Sequence, residues 1–252
     1  MNQIELKEFL DYKANQYELI DFITSDPIQI PHRFRQKEDV EIAGFLTASI
    51  AWGNRLSILK SANKMMALMD DSPYDFIINH KKSDLSIFEG FVHRTFNATD
   101  LTFFVRSLQN IYKNHQGLEN VFNSNKSSLQ HTIHDFKSIF FEIDHPQRTL
   151  KHVSDPLKGS AAKRLNMFMR WMVRSNTKGV DFGIWKHHSP AQLSIPLDVH
   201  TGNIARKLNL IRRKQNDSKT LGELDKKLRK FDPVDPVKYD YALFGLGVFE
   251  KF

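Results

Sequence analysis

"DVEIAGFLTASIAWGNRLSILKSANKMMALM", residues 39 to 69, is the stretch whose reading decides the fold. Its apolar residues return at three- and four-residue steps over a length no ordinary strand reaches. The pattern breaks once, at Gly53-Asn54, a pair that favours a turn. Two helices joined by a turn are therefore expected. The same periodicity extends through the chain. "TDLTFFVRSLQNIYKNH" opens with Thr99 or Asp100 as the expected cap, and 127–143, 160–174, 199–210, 218–230 and 236–248 read as further helices. No succession of alternating strands and no internal repeat interrupts them. The loops are short and marked by proline, as in "SDPIQIPHRF", "SDPLKG" and "DPVDP". The sequence predicts an all-α protein, with boundaries near 35–40 and near 180–195.

The chain has 252 residues, enough for one large domain or two lobes, and 40% of them are hydrophobic. It has no cysteine, which excludes disulfides, thiolate zinc sites, iron–sulfur clusters and cysteine nucleophiles. No apolar run approaches a membrane span, and "MNQIELKEFLDYK" is too polar for a secretory signal. A cytoplasmic location and no membrane partner are expected. The net charge of +7 is unevenly spread. Pro156 to Val180 holds Lys158, Lys163, Arg164, Arg170, Arg174 and Lys178 without one acidic residue. Arg206 to Lys230 holds ten basic residues against Asp217, Glu223 and Asp225. Such clustering is the footprint of a nucleic-acid binder, although a solvated basic surface has the same composition.

Two polar residues stand out against this background. In "GSAAKRLNMFMRWM" the residues Ala161, Leu165, Phe168 and Met172 form one apolar stripe. At about 100° per residue, Lys163 falls opposite that stripe, in line with Arg170 and Arg174. It also occupies the first turn, where the helix dipole disfavours a cation, and an amine relieved of its proton is a nucleophile. In "SIPLDVHTGNIARKLNLI", Asp198 directly precedes a helix, the position of an N-cap. A capping carboxylate still has a second oxygen to present.

Together these segments resemble the active-site segments of the helix-hairpin-helix DNA glycosylase superfamily, which includes endonuclease III and the 8-oxoguanine DNA glycosylases. There a lysine early in one helix is followed by a proline-containing turn and Asp-X-His opening the next. Lys163 matches the lysine, and Asp198-Val199-His200 matches Asp-X-His. The separation of 35 residues (198 minus 163) is similar to that of the archaeal 8-oxoguanine enzymes. "FLTASIAWGNR" resembles the family helix that ends beside the base pocket, and "KYDYALFGLGV" its closing helix. The whole chain resembles a bacterial family catalogued only as a domain of unknown function. The family hairpin reads Leu-Pro-Gly-Val-Gly before the lysine; this chain has "DPLKGSAAK", with Gly159 alone. Lys158 and the helix start are expected to replace part of its phosphate grip.

The resemblance implies two helical lobes with a cleft between them. Residues 40–180 would form a barrel lobe with a degenerate hairpin, and segment 1–39 would pack with the lobe of 181–252. It implies excision of a damaged base, an oxidised purine such as 8-oxoguanine, from duplex DNA by a monomer without cofactor or metal. Lys163 would be the amine that attacks the sugar and permits strand nicking, and Asp198 the carboxylate facing the developing positive charge. Lys158, Gly159, Ser160, Arg164 and His200 would contact DNA. Trp52, Asn54, Arg55, Phe244 and Phe249 would line the pocket for the extruded base.

Blander readings stand beside these. His131, His134 and Asp135 on one helix suggest a metal, but nothing else assembles a first shell around them. Met169 and Met172 read as core, and Trp171 and Trp185 as packing between lobes. Two rivals to the enzyme remain: a non-catalytic nucleic-acid-binding module, which the altered hairpin favours, and a helical scaffold for an acidic protein.

Overall fold

Asn2 starts the first helix. Its side chain accepts the amides of Ile4 and Glu5 while Glu5 answers on the Asn2 amide, a closed capping box for α1 (Gln3–Tyr17). The stretch that decides the fold forms α2 (Lys37–Ser49) and α3 (Arg55–Leu68), with Asn54 capping α3 through the Ser57 amide. Then come α4 (Pro73–Asn79), α5 (Ala98–Asn114), α6 (Leu118–Phe122), α7 (Leu129–Phe140) and α8 (Lys163–Val173). The last three are α9 (Val199–Lys207), α10 (Ser218–Phe231) and α11 (Tyr239–Val248). This computed structural model describes residues 1–123 and 128–252. The expected start at 127 of the helix before residue 143 lies outside the described residues.

The protein is all-α, as the periodicity predicts. Two local readings change. An antiparallel pair of two-residue strands, β1 (Val92–His93) and β2 (Phe96–Asn97), sits where no strand is expected. The cap of α5 is Asn97, not Thr99 or Asp100. Its side chain accepts the amides of Thr99 and Asp100, and Asp100 bonds back to the Asn97 amide. The box sets the start two to three residues earlier than the apolar pattern does.

The chain divides into two compact units, one of Met1–Thr24, Ser128–Gln130 and Asp155–Phe252, the other of Ser25–Ser127 and His131–Ser154. These boundaries differ from the expected 1–39, 40–180 and 181–252. Residues 155–180 group with the C-terminal helices, because α8 carries its apolar face and its arginines into that unit. The first unit is cored by Leu10 and Ala14 of α1, Ile204 and Ala205 of α9, Leu221, Leu224 and Leu228 of α10, and Tyr239, Ala242, Leu243 and Leu246 of α11. The second is cored by phenylalanine. Phe45 meets Phe136 at 5.5 Å and Phe140 at 5.4 Å, and Phe122 stacks on Phe136 at 4.3 Å. Each such ring contributes about 1.5–3 kcal/mol by burial and up to ~1.5 more by its pairing. Among the described residues, no helix is long and apolar enough to cross a membrane.

Candidate active site

The segment before Lys163 is a chain of tight turns. Asp155 accepts the Leu157 amide and opens a short 3-10 turn over Pro156–Lys158, which Gly159 ends at φ +93°. That left-handed conformation is open to glycine without steric cost. Ser160 Oγ then accepts the Ala162 amide at 3.0 Å, and Ala162 itself adopts φ +45°, ψ +39°. An alanine there is strained by about 1–2 kcal/mol. The reversal makes Lys163 the first residue of α8, half-buried, its side chain making no hydrogen bond or ion pair to a described residue.

Asp198 is the N-cap of α9, where its Oδ1 accepts the Thr201 amide at 2.9 Å. Among the described residues nothing donates to Oδ2. One loop connects this cap to the hairpin. Asn216 Nδ2 donates to the Asp198 carbonyl at 2.8 Å, while the Ser218 amide donates to the Gly159 carbonyl at 3.0 Å. Ser160 and Asp217 form an antiparallel bridge between those bonds. Residues 216–218 span at most ~11 Å, so the segments bearing Lys163 and Asp198 meet over three consecutive residues. Arg206 holds the loop by donating to the carbonyls of Arg213 and Lys214 at 2.7 Å each and to Asn216 Oδ1 at 2.6 Å. The close approach needs Gly202, where an added Cβ would lie 2.6 Å from Asn216 Oδ1.

A third group completes the site. Asp240 on α11 is buried, and burial pushes its carboxyl up to about 6. Arg170 opposes that shift, the Asp198 carboxylate adds to it, and the Lys163 ammonium counters it. Both candidate catalytic charges therefore act on one buried carboxyl. Sequence reading missed Asp240, yet it is the lone charge in the run Tyr239–Val248, a signal that was available.

The expectation that Arg170 and Arg174 extend a basic face is corrected. Both are buried, and carboxylates neutralise them. Arg170 pairs with Asp240 and, at 3.3 Å, with Asp181. Arg174 pairs with Asp181 and Glu18 at 2.7 Å each and with Asp235 at 2.8 Å. Burial would lower the Arg174 guanidinium, but these three carboxylates overcome it and raise it. Asp181 directly follows the basic run of 156–180.

The remaining candidates divide between the units. Lys158 and Gly159 are exposed and Ser160 is half-buried at the hairpin. Arg164 is half-buried, and desolvation lowers it to about 10. His200 is exposed, its ring edge-on to Phe244 at 6.4 Å, and Phe244 meets Phe249 at 6.4 Å. These three form one aromatic group in the first unit. Trp52, Asn54 and Arg55 belong to the second unit. There Trp52 lies edge-on to His93 at 5.2 Å and stacks on His152 at 6.0 Å, Asn54 is the α3 cap, and Arg55 donates to Ser25 at 3.3 Å. Trp171 and Trp185 are buried, Trp185 edge-on to Phe168 at 5.3 Å within the first unit. Leu157, in the turn before Lys163, and Val199, next to Asp198, keep half or more of their surface exposed. Among the described residues no group of three or more His, Asp or Glu is placed to hold a metal ion.

A family model described as "Protein of unknown function (DUF2400)" matches residues 26–249. No curated protein and no solved structure matches the chain.

Proposed function

We propose that this chain, which belongs to the DUF2400 family of proteins of unknown function, is a DNA glycosylase with an associated lyase step, acting through Lys163 and Asp198. The observation that carries the reading is the convergence at residues 216–218: Asn216 bonds the Asp198 cap while Ser218 bonds the hairpin that sets Lys163. An amine and a carboxylate with an unengaged oxygen, brought to one loop, suit chemistry at a sugar C1′.

As the bond from C1′ to the base breaks, its electron pair leaves with the base, which takes a proton. Asp198 Oδ2 offsets the positive charge growing on the sugar. The neutral Lys163 amine bonds C1′ and loses a proton. Opening of the C1′–O4′ bond, with a proton to O4′, then gives an iminium. Loss of a C2′ proton expels the 3′ phosphate by β-elimination, and water frees Lys163. The exposed Val199, next to Asp198, offers apolar surface to a sugar or base. Oxidised purine in duplex DNA is the substrate proposed first.

Borohydride trapping on a panel of lesion-containing duplexes tests this reading. A covalent adduct is expected with the wild type, lost in Lys163→Gln and reduced by at least ~100-fold in rate in Asp198→Asn. An adduct that persists in Lys163→Gln removes Lys163 as the nucleophile. Base release without any adduct leaves a glycosylase without the lyase step. Salt-dependent binding without base release favours the non-catalytic binding module, which the single hairpin glycine supports.

A further inference from the structure

The hairpin's bond to Ser218 sets it at the start of α10, and α10 carries a charge pattern that the proposed site does not use. Lys219, Lys226 and Lys230 are exposed. At 100° per residue their offsets of 7 and 11 positions place them within about 20° of one line along the helix. Lys227 flanks that line, half-buried. An open depression in the surface of about 790 Å³ is lined by Lys219, Glu223, Lys226, Lys227, Arg229 and Lys230, all on this helix.

The acidic residues of this helix are occupied. Glu223 accepts the Arg212 amide at 3.1 Å, and Asp225 is buried, accepting the Ile195 amide and pairing with Arg229. No described carboxylate pairs with Lys219, Lys226 or Lys230. The arrangement is unfavourable for an isolated helix. Lys219 lies in the first turn, against the dipole, and Lys226 and Lys230 are like charges four residues apart. A solvated helix face usually intersperses both signs; here Glu223 is the one acid among the three lysines, and its Oε1 is turned to the Arg212 amide. A polyanion laid along it removes both penalties.

We infer that the Lys219–Lys226–Lys230 stripe is a track for the phosphodiester backbone of duplex DNA, leading from the hairpin at Lys158–Gly159. The inference rests on the proposed function for its choice of polymer. Eleven residues of helix span about 16 Å, which matches four to five phosphates at 3.4 Å of axial rise per strand. The track supplies cationic grip beside a hairpin with one glycine. Its commitment is to the backbone alone, so binding through it is independent of sequence and lesion.

The test is fluorescence anisotropy with an undamaged duplex at several salt concentrations. It compares the full-length wild type, the triple variant Lys219→Gln/Lys226→Gln/Lys230→Gln and a charge-matched control, Lys60→Gln/Lys81→Gln/Lys82→Gln. Removing three phosphate contacts is expected to flatten the dependence of log Kd on log salt by about 2.7. Between 50 and 200 mM salt the wild type then loses about 40-fold more affinity than the stripe variant. The control is expected to keep the wild-type slope. Equal slopes for the two triple variants overturn the track, as does wild-type retention by polyglutamate without retention by duplex. Lys163→Gln, run alongside, separates the two claims. A stripe-dependent slope without any borohydride adduct supports the track and sinks the lyase. An adduct with a stripe-independent slope does the reverse.

Discussion

At the residue scale, Asp198 caps α9 through Oδ1, and the proposed function gives a chemical role to Oδ2, so substitutions should separate the two. Asp198→Asn retains a good cap and is expected to cost less than ~0.5 kcal/mol of stability, whereas Asp198→Ala loses the Thr201 amide's acceptor and costs about 1 kcal/mol. Both should slow trapping by at least ~100-fold; denaturant melts beside the trapping assay check the split. Asp240 makes a pH prediction. Burial is the first cause of its rise to about 6, so between its unfolded value of 3.8 and about 6 the native state holds a proton that the unfolded state has released. Stability attributable to this group is therefore present below about pH 4 and falls as pH rises to 6, by at most about 3 kcal/mol. Asp240→Asn should remove that slope. Urea melts of both proteins from pH 4 to 7 would show the variant gaining on the wild type across this window and running parallel above it. A constant difference would place the titration elsewhere.

At the element scale, the entry to α8 is built with an alanine in a left-handed conformation, and strain of this kind persists where its surroundings over-determine it. Here Ser160 Oγ holds the Ala162 amide and the Asn166 side chain donates to the Ala161 carbonyl at 2.9 Å. Ala162→Gly should relieve the strain at the cost of a more flexible unfolded chain. The balance is a stabilisation of up to ~1 kcal/mol. A Tm that falls would mean that the Ala162 methyl packs usefully in its buried position. The start of α8 was legible because Gly159 and the apolar stripe both mark it. The Arg212–Asn216 loop was not. Its role rests on Arg206 donating to carbonyls and on Asn216 reaching Asp198, bonds between segments that share no sequence pattern.

At the scale of the whole molecule, the first unit is assembled from chain ends that are distant in sequence. The buried pairs of Arg174 join Glu18 after α1, Asp181 and Asp235 to the end of α8. Arg174→Met would leave three carboxylates, two of them buried, without their main counter-charge. It is expected to cost about 3–5 kcal/mol, far above the loss from a surface arginine. Hydrogen exchange would register that loss in α1, α8 and α11 together if the network unites the unit, and near residue 174 alone if it does not. The grouping of residues 155–180 with the C-terminal helices follows from the same network.

By itself the sequence determined that the protein is all-α, where its main helices run, and that Lys163 and Asp198 each open one. Periodicity, caps and glycine act over a few residues, so they are written in adjacent letters. Only the tertiary structure decided that both residues belong to one unit, that Asp240 feels both charges, and that Arg170 and Arg174 are buried counter-ions while Lys219, Lys226 and Lys230 of α10 stay exposed. Whether a cation faces water or a carboxylate depends on which distant segment packs against it. Hydrophobic burial settles that packing, and the local pattern does not record it.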